Sequence, residues 1–287
     1  MQSTKWLWRI VLILILITIG SSIFLFKNKK SQEYFSISFL DVGQGDSILI
    51  QAPNGRQLLV DGGRDKKVLG NLREVLPQSD TSIDVVIGTH PDADHIGGLV
   101  DVLNNYNVGA ILEPGVSSSS KIYPSFQNLI KEKDIPYLLA RTGMNIVLDE
   151  QNQITFRILF PDQSVAGWET NEASIVGILE TPYGNALLTG DSPISKELYL
   201  VHKLGDQVLK SDILKLGHHG SRTSTSLEYL KIVQPKVAII SAGLDNSYGH
   251  PHKEVTDRLN FLKIPYLETS TEGTIKCFPK SMILVCD

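Results

Sequence analysis

Residues 89–98 read THPDADHIGG, and this stretch decides how the whole chain is interpreted. It holds two histidines and two aspartates within six positions, namely His90, Asp92, Asp94 and His95. Ionisable side chains at this density are costly to bury, and the carboxylates repel one another unless a cation lies between them. Imidazoles and carboxylates are ligands of divalent transition metals. The stretch therefore predicts a metal site that includes all four residues.

Other polar residues also stand where a predicted strand ends. The stretch itself follows IDVVIGTH at 83–90, an apolar, β-branched run typical of a strand covered on both faces. The remaining strand-end residues are Asp61, Asp191, His218, His219 and His250. Loops at one edge of a rigid sheet are where functional sites collect. A binuclear metal centre needs about this set, with one carboxylate that bridges.

Predicted strands and helices alternate along two comparable halves of the chain. At 287 residues with 42% hydrophobic content, the chain can bury the core of one large domain. This order predicts a mixed α/β (α+β) fold in which two sheets stack and helices cover their outer faces. No C-x-x-C pair occurs, which disfavours zinc fingers and thioredoxin-like redox sites.

The N-terminal region predicts a membrane anchor. Residues 10–26, IVLILILITIGSSIFLF, contain no charge, and with the apolar residues at 6–8 they approach the roughly 20 needed to cross a bilayer. We expect one uncleaved transmembrane helix within 1–30, ahead of a separate domain at 31–287. A cleaved signal peptide is the alternative, since small residues occur at 20–22. Basic residues flank both ends, so the positive-inside rule does not decide the orientation.

The charge balance disfavours a basic nucleic-acid-binding surface. Residues 1–30 hold five Lys or Arg and no Asp or Glu, which leaves 22 basic and 31 acidic residues and a net charge of about −9. Nucleic-acid-binding domains are usually basic. A polyanionic substrate would therefore need a local basic patch or a metal ion.

The two cysteines, Cys277 and Cys286, flank a predicted terminal hairpin, TIKCF-PKS-MILVC. A disulfide between them would fit an oxidising compartment. Their offsets from the predicted turn are unequal, which disfavours direct pairing across the hairpin. Two buried reduced thiols are at least as consistent with this pattern.

Six segments, taken in order, resemble the metallo-β-lactamase fold: LDVGQGDSILI, LLVDGG, THPDADHIGG, LLTGD, LKLGHHGS and NSYGHPH. More closely, they are similar to the C-terminal hydrolase-like domain of the DNA-uptake competence protein ComEC and its stand-alone relatives. The likeness covers about residues 35–287. It implies an αββα four-layer sandwich, a metal centre at the sheet edges, and a domain that lies outside the cytoplasm at the cell membrane. It does not fix the substrate.

The resemblance also assigns residues. It places the stretch at 89–98 on the family's H-x-H-x-D-H motif, with Asp92 where the second histidine usually stands. Asp191 falls on the bridging aspartate, and Asp61 on an aspartate that orients the motif loop through hydrogen bonds. The metal-binding histidine expected between the motif and the bridge is absent, and Asn171 stands in that region.

These departures make the site harder and richer in oxygen. An imidazole is replaced by Asp92 and another is missing, which shifts the preference from Zn²⁺ toward Mn²⁺, with Mg²⁺ as a further option. Zinc stays a strong alternative because it binds tightly where histidine is offered. We expect one or two divalent ions per chain, zinc or manganese.

The last metal ligand stays open among three histidines. Successive residues of an extended strand point to opposite sides, so His218 and His219 are not both expected to bind metal. We place His219 with the metal ligands and His218 with the catalytic groups. His250 is the other choice, either as a ligand or as the acid that protonates a leaving group. Asp94 is counted as both a ligand and a catalytic residue.

Arg222, Thr223 and Ser224 follow the histidine pair and would receive a substrate phosphate, and Ser221 is grouped with Arg222 as a residue that supports the ligands or contacts the substrate. A plain polar turn that caps a helix explains them about equally well.

Three functions fit this pattern. The first is a metal-dependent phosphodiesterase, with a nuclease as its narrower form and nucleic acid or another phosphoester as substrate. The second is a hydrolase of another ester, such as a lactone, a carboxylic ester or a small phosphoester. The third is an anchored binding module with a degenerate metal site. Neither the substrate nor the oligomeric state follows from the sequence.

Overall fold

The computed structural model of the protein describes residues 34–287 together with Leu14 and Thr18. Apart from those two residues, the predicted anchor at 1–30 lies outside the described part of the chain. Within the described part, no helix has the length and apolar character required to span a membrane.

The described chain contains 15 strands and eight α-helices. The strands are β1 Ser36–Phe39, β2 Ile48–Gln51, β3 Gln57–Val60, β4 Ser82–Ile87, β5 Asn107–Glu113, β6 Tyr137–Leu139, β7 Asn145–Asp149, β8 Ile154–Phe160, β9 Val176–Glu180, β10 Ala186–Leu188, β11 Ile213–Lys215, β12 Val237–Ile240, β13 Tyr266–Glu268, β14 Ile275–Lys280 and β15 Ile283–Cys286. The helices are α1 Lys67–Val75, α2 Ala93–Asn105, α3 Ile122–Glu132, α4 Ile194–Leu204, α5 Asp206–Leu209, α6 Leu227–Val233, α7 Lys253–Leu262 and α8 Thr269–Glu272. Short 3₁₀ turns occupy Asn171–Ala173 and Gly217–Gly220.

The strands form two sheets. One has eight strands in the order β15-β14-β1-β2-β3-β4-β5-β6, and the other has seven in the order β13-β12-β11-β10-β9-β8-β7. Strands β3 to β6 run parallel, and so do β10 to β13. Parallel strands bring their carboxyl ends to one edge, so the loops that follow them collect there.

The hydrophobic side chains form one core between the sheets and one layer under the helices on each side. Phe39 and Phe156 belong to the central core. Leu99 packs between the first sheet and its helices, and Leu230 packs between the second sheet and its helices. The predicted sandwich, with two sheets inside and helices outside, is confirmed.

Helix α2 begins inside the motif, at Ala93. Asp92 is its N-cap residue, yet the Asp92 side chain makes no capping hydrogen bond and instead interacts with Thr170. A Cβ atom on Gly98 would lie 2.0 Å from the carbonyl oxygen of Gly62. Only glycine lets the helix lie this close to the loop after β3, and this contact fixes the motif against the first sheet.

The expectation that disfavoured direct pairing of the two cysteines across the hairpin was wrong. Cys277 and Cys286 are direct partners in the β14–β15 register, and they are joined by a disulfide. The register pairs Lys280 with Ile283, so the turn is Ser281–Met282. Three residues separate each cysteine from this turn. Both turn residues have positive φ, 50° and 68°, as a two-residue type I′ hairpin requires. The sequence had suggested a turn further back, which made the offsets unequal.

Candidate metal centre

The strand ends bring the chemically important residues to one edge of the sandwich. Asp61 follows β3 directly, and the motif follows β4. Asp191 follows β10, and the histidine pair follows β11 on the opposite sheet. Most of this edge is buried, since Asp61, His90, His95, Asp191 and His219 are each at most 3% exposed.

Four imidazoles converge on the carboxylate of Asp191. The Nε2 atom of His95 lies 3.3 Å from Asp191 Oδ1. The Nε2 atoms of His218 and His219 each lie 3.6 Å from Oδ2, and that of His90 lies 3.8 Å from it. Three of these separations are longer than hydrogen bonds, and the His95 contact is at the upper limit of one. They match the distance between two ligand atoms of one metal ion. In a tetrahedral zinc site with Zn–N near 2.05 Å, the donor atoms lie roughly 3.4 Å apart.

The hydrogen bonds at the far side of the buried rings leave the Nε2 lone pairs free. His95 Nδ1 lies 2.7 Å from Asp61 Oδ2 and donates to it. His219 Nδ1 donates to the carbonyl oxygen of Ser241 at 2.9 Å. A neutral imidazole that donates from Nδ1 carries its lone pair on Nε2. Asp61 therefore has the orienting position that the resemblance implied for it.

The ring of His90 is fixed by the same argument. The Thr89 hydroxyl donates to Asp61 Oδ2 at 2.7 Å, so its hydrogen is already in use. Its oxygen lies 3.1 Å from His90 Nδ1 and accepts from that nitrogen. The lone pair of His90 therefore also lies on Nε2, on the side of Asp191.

His218 is supported by the residues that follow it. The Thr223 hydroxyl donates to Ser221 Oγ at 3.0 Å, and its oxygen lies 3.2 Å from His218 Nδ1. The Asn171 amide lies 3.4 Å from the same nitrogen. Thr223 thus orients the His218 ring, Ser221 acts only through Thr223, and Asn171 lies beside the same ring nitrogen.

The prediction that His218 and His219 point to opposite sides was wrong. The two residues lie in a tight left-handed turn, with φ of 49° and 56°, rather than on an extended strand. Backbone of this kind is uncommon for residues other than glycine and clusters at functional sites. The turn directs both rings toward Asp191.

The donors form two groups that share Asp191. We call the first the inner position, formed by Asp94, His95, His219 and Asp191. In it, His219 Nε2 lies 3.3 Å from His95 Nε2 and 3.6 Å from Asp94 Oδ2.

The second group is the outer position, formed by His90, Asp92, His218 and Asp191. In it, His90 Nε2 lies 3.7 Å from Asp92 Oδ2. Its side chains are more open to solvent, with 37% of Asp92 and 28% of His218 exposed.

Buried atoms without a hydrogen-bond partner support a metal ion at this edge. His90 Nε2 and Asp191 Oδ1 are both buried and make no hydrogen bond within the described chain. Buried polar groups are almost always satisfied, so such atoms need an explanation. A divalent cation between the converging lone pairs provides one, and the residues present fit it.

The inner position carries raised histidine pKa values. Burial alone would lower the pKa of His219, but the negative charges of Asp191 and Asp46 raise it to about 9. The pKa of His95 is raised well above its usual value, because Asp191 and Asp61 outweigh its burial. Burial favours the protonated carboxyl of Asp191, yet the charges of His219 and His95 hold its pKa well below the usual range.

At the outer position the pKa values of the histidines are lowered instead. Burial, together with the charge of His95, lowers the pKa of His90 to about 4. Burial also lowers the pKa of His218. Burial raises the pKa of Asp92, whereas hydrogen bonding and histidine charge lower that of Asp94 despite its burial. The two positions therefore differ in the number of protons that an ion must displace.

His250 and Arg222 lie at the rim of the site. His250 packs against His218 with ring centroids 5.5 Å apart, and its Nδ1 atom is buried without a hydrogen-bond partner. Arg222 is exposed and lies 3.5 Å from Glu254. The N-cap of α6 is Ser226, so Arg222 does not belong to a helix cap.

Sequence reasoning missed two residues, Asp46 and Lys215. Asp46 has a carboxylate oxygen within 4.8 Å of ligand atoms of His95, Asp191 and His219. Lys215 is fully buried, and its ammonium lies 2.7 Å from Asp46 Oδ1. The available signals were an aspartate that ends a glycine-rich loop and a lysine inside an apolar strand.

A family model described as the metallo-beta-lactamase superfamily matches residues 40–243. The chain belongs to this superfamily. Within the superfamily, its curated relatives include competence proteins. ComE operon protein 3 of Bacillus subtilis is 32% identical over 258 residues, which cover 84% of this chain and 32% of that protein. Recombination protein 2 of Haemophilus influenzae is 30% identical over 260 residues, which cover 89% of this chain and 30% of that protein. The chain thus spans about a third of the length of these relatives.

Solved structures of the superfamily share the fold. Igni18, a metallo hydrolase from Ignicoccus hospitalis, superposes with a TM-score of 0.55 and 13% identity over 84% of this chain and 98% of its own. YhfI from Bacillus subtilis, a metallo-beta-lactamase fold protein, superposes with a TM-score of 0.56 and 13% identity. The match covers 86% of this chain and 100% of YhfI. At this identity the likeness shows the fold alone.

Proposed function

We propose that the protein is a metal-dependent phosphodiesterase, with a nuclease as the narrower form. One observation carries the proposal: four imidazole Nε2 lone pairs converge on Asp191, which the inner and outer positions share. Lone pairs and carboxylates at 3.3–3.8 Å repel one another unless metal ions or, in their absence, protons on His95 and His219 lie between them.

Zinc or manganese bound at these positions would supply the charge that activates a water molecule and offsets charge on phosphoryl oxygens. The protein's own residues determine where that chemistry occurs. Asp61 and Thr89 hold the motif imidazoles in the ligand tautomer. Asp191 holds the two positions together, because its two oxygens face histidines of both.

The outer position faces the substrate in this proposal. His218 and Asp92 are partly exposed, whereas His95 and His219 are not. His250 borders this opening, and burial with the neighbouring histidine charges lowers its pKa to about 4. His250 is therefore neutral at pH 7, and it borders the opening as an uncharged ring.

Two features around the opening favour a phosphodiester with an aromatic group. Tyr248 is exposed and stacks on His250 with ring centroids 5.6 Å apart, so a base could stack beside it. The exposed guanidinium of Arg222 lies near the same rim and suits a phosphate. The competence-related names of the relatives point the same way, toward DNA. The overall net charge of −4 points toward short substrates rather than long duplexes.

A substrate panel tests the proposal. The metal-stripped protein would be reloaded with Mn²⁺ or Zn²⁺ and given bis(p-nitrophenyl) phosphate, p-nitrophenyl phosphate, p-nitrophenyl acetate, a lactone and single-stranded DNA. We expect metal-dependent cleavage of the phosphodiesters and little of the carboxylic esters. Cleavage of the acetate or lactone alone would replace the proposal with another ester hydrolase. Tight metal binding without any turnover would favour the binding module, which the missing mid-chain histidine also suggests.

We also infer that residues 6–26 hold the domain at a membrane, with the domain outside the cytoplasm. The support is the uncharged run at 10–26. A fragment of residues 31–287 should then be soluble and folded, whereas the full chain should partition with membranes. A fragment that lacks a folded circular dichroism spectrum would move the boundary.

A further inference from the structure

Asp46 links three segments at the metal edge. Its amide donates to the carbonyl oxygen of Asp94 at 3.3 Å, and its own carbonyl accepts from the amide of Gly63 at 2.7 Å. The preceding Gly45 is in the left-handed region, and a Cβ atom there would lie 2.1 Å from the Asp94 carbonyl oxygen. The loop between β1 and β2 is therefore fixed against the motif, and the position of the Asp46 carboxylate is set by backbone contacts.

Lys215 reaches Asp46 from the opposite sheet. It is the last residue of β11, and its side chain is fully buried. Its ammonium lies 2.7 Å from Asp46 Oδ1 and donates to the carbonyl oxygen of Leu216 at 2.8 Å. A buried ammonium is tolerated only when it is paired, and removal of one partner strands the other charge. The pair therefore joins the two sheets directly beneath the inner position.

The same carboxylate lies next to the metal ligands. Asp46 Oδ1 is 3.3 Å from Nδ1 of His219, the nitrogen that donates to Ser241. A carboxylate oxygen of Asp46 also lies within 4.8 Å of ligand atoms of His95 and Asp191. Asp46 is thus near enough to serve an ion, yet Lys215 already holds it.

We propose that Lys215 is a charge-setting and positioning residue of the inner position, which binds Asp46 as its own counter-ion and thereby keeps this carboxylate from the metal. The proposal rests on the metal centre proposed above. Asp94 and Asp191 would then hold an ion at the inner position, while Asp46 would act on it only through His219. Metal affinity is set below the value that a third free carboxylate would give.

Charge balance gives the arrangement a physical reason. The edge holds five carboxylates, those of Asp46, Asp61, Asp92, Asp94 and Asp191. Two dications together with the ammonium of Lys215 would neutralise them all when the histidines are neutral. Without Lys215 the buried edge would keep one uncompensated negative charge, which a cation would be drawn to satisfy.

The test is a double-variant cycle on the full-length, metal-stripped protein, with Mn²⁺ affinity at the tighter position measured by calorimetry. Lys215→Met keeps the length and apolar stem but frees Asp46, so the affinity should rise by about tenfold or more. Asp46→Asn leaves an unpaired ammonium beside the ion, so the affinity should fall by about tenfold or more. The double variant should return to within roughly threefold of the unmodified protein, because both charges are gone.

A matched pair elsewhere controls for the loss of an ion pair as such. Lys236 and Asp212 form a salt bridge of 2.6 Å, and Lys236 is largely exposed. Lys236→Met, Asp212→Asn and their double variant should leave Mn²⁺ affinity unchanged.

Each outcome of the cycle decides between explanations. If both single variants at Asp46 and Lys215 weaken binding, the pair is only a scaffold and the proposal is overturned. If Asp46→Asn removes one ion from the stoichiometry, Asp46 is a ligand and the proposal is equally overturned. If Lys215→Met does not fold without metal, added Mn²⁺ should restore the fold, because the ion replaces the lost positive charge. A variant that stays unfolded with Mn²⁺ would contradict the proposal. Since calorimetry needs no turnover, the predicted cycle in a protein that hydrolyses nothing would overturn the proposed function alone.

Discussion

The inner and outer positions contain the same kinds of side chain but in different surroundings. At the inner position, His95 and His219 are buried and their Nδ1 atoms donate to fixed oxygen acceptors. At the outer position, Asp92 and His218 are partly exposed, and His218 rests on a threonine hydroxyl. A rigid, buried set of ligands is preorganised, whereas a half-exposed set is more easily distorted or exchanged. We therefore expect tight binding inside and weaker, substrate-facing binding outside.

The two positions also differ in charge. Raised pKa values leave the inner histidines protonated near neutral pH in the absence of metal, whereas the outer histidines have lowered values. Similar ligands can thus respond differently to pH, because neighbouring carboxylates stabilise the imidazolium form at one position and burial opposes it at the other.

The largest effect is expected from a change at Asp191, the residue that the inner and outer positions share. Asp191→Asn removes the charge that faces both positions, so one ion should be lost and phosphodiester cleavage should fall by more than about 100-fold, since supporting residues alone cost 10–100-fold. The fold should persist. Helix α4 has Pro193 as its N-cap and no side-chain cap, so Asp191 is not needed to start it. Metal analysis and cleavage assays check this, with the exposed Asp245→Asn as control; two bound ions and full activity would refute the shared role.

A second pair of variants separates the positions. His219→Ala should weaken the tighter ion by about 100-fold, whereas His218→Ala should weaken only the looser ion, by roughly tenfold. The difference follows from burial and from the firmer support of His219. Calorimetric titration of both variants measures it, and His202→Ala on the exposed face of α4 is the control. Equal losses at one position would mean that the two histidines do not serve different ions.

The pH dependence sharpens the contrast further. The raised pKa values mean that metal must displace protons from His95 and His219, so inner affinity should rise with pH until about pH 9. The lowered values at His90 and His218 mean that outer affinity should be nearly flat above pH 6.5. Titrations in buffers of different ionisation enthalpy count the protons released at each step. Proton release at the weaker step instead would reverse our assignment.

The smallest effect concerns selectivity at the outer position. Asp92→His replaces an oxygen ligand with an imidazole, which should raise Zn²⁺ affinity relative to Mn²⁺ by several-fold. The inner position should be unaffected. Competition titrations with both ions report the ratio, and an unchanged ratio would show that Asp92 is not a ligand.

The sequence was enough to predict the edge on which the site lies. Polar residues at strand ends identify the edge directly, because parallel strands end together. Asp61, Asp191 and the motif could therefore be placed at this edge from their local context, whereas their individual roles came from the family resemblance. The same local context gave the wrong side-chain directions for His218 and His219, because a left-handed turn replaces the expected extended strand.

Asp46 and Lys215 could not be found in this way. Their pairing depends on how one sheet stacks on the other, and no local pattern encodes a contact between residues so distant in sequence. The disulfide stayed undecided for a different reason. A shift in the assumed hairpin turn changes which residues face each other, and turn position is poorly determined by residue type alone.

The number of ions bound by the unmodified protein tests the central claim most directly. Metal-stripped protein would be titrated with Mn²⁺ at pH 7.5 by calorimetry, and the bound metal would be counted by mass spectrometry. Our account predicts two ions per chain with clearly unequal affinities, the tighter step accompanied by proton release. One ion per chain, or none, would contradict a centre in which two positions share Asp191.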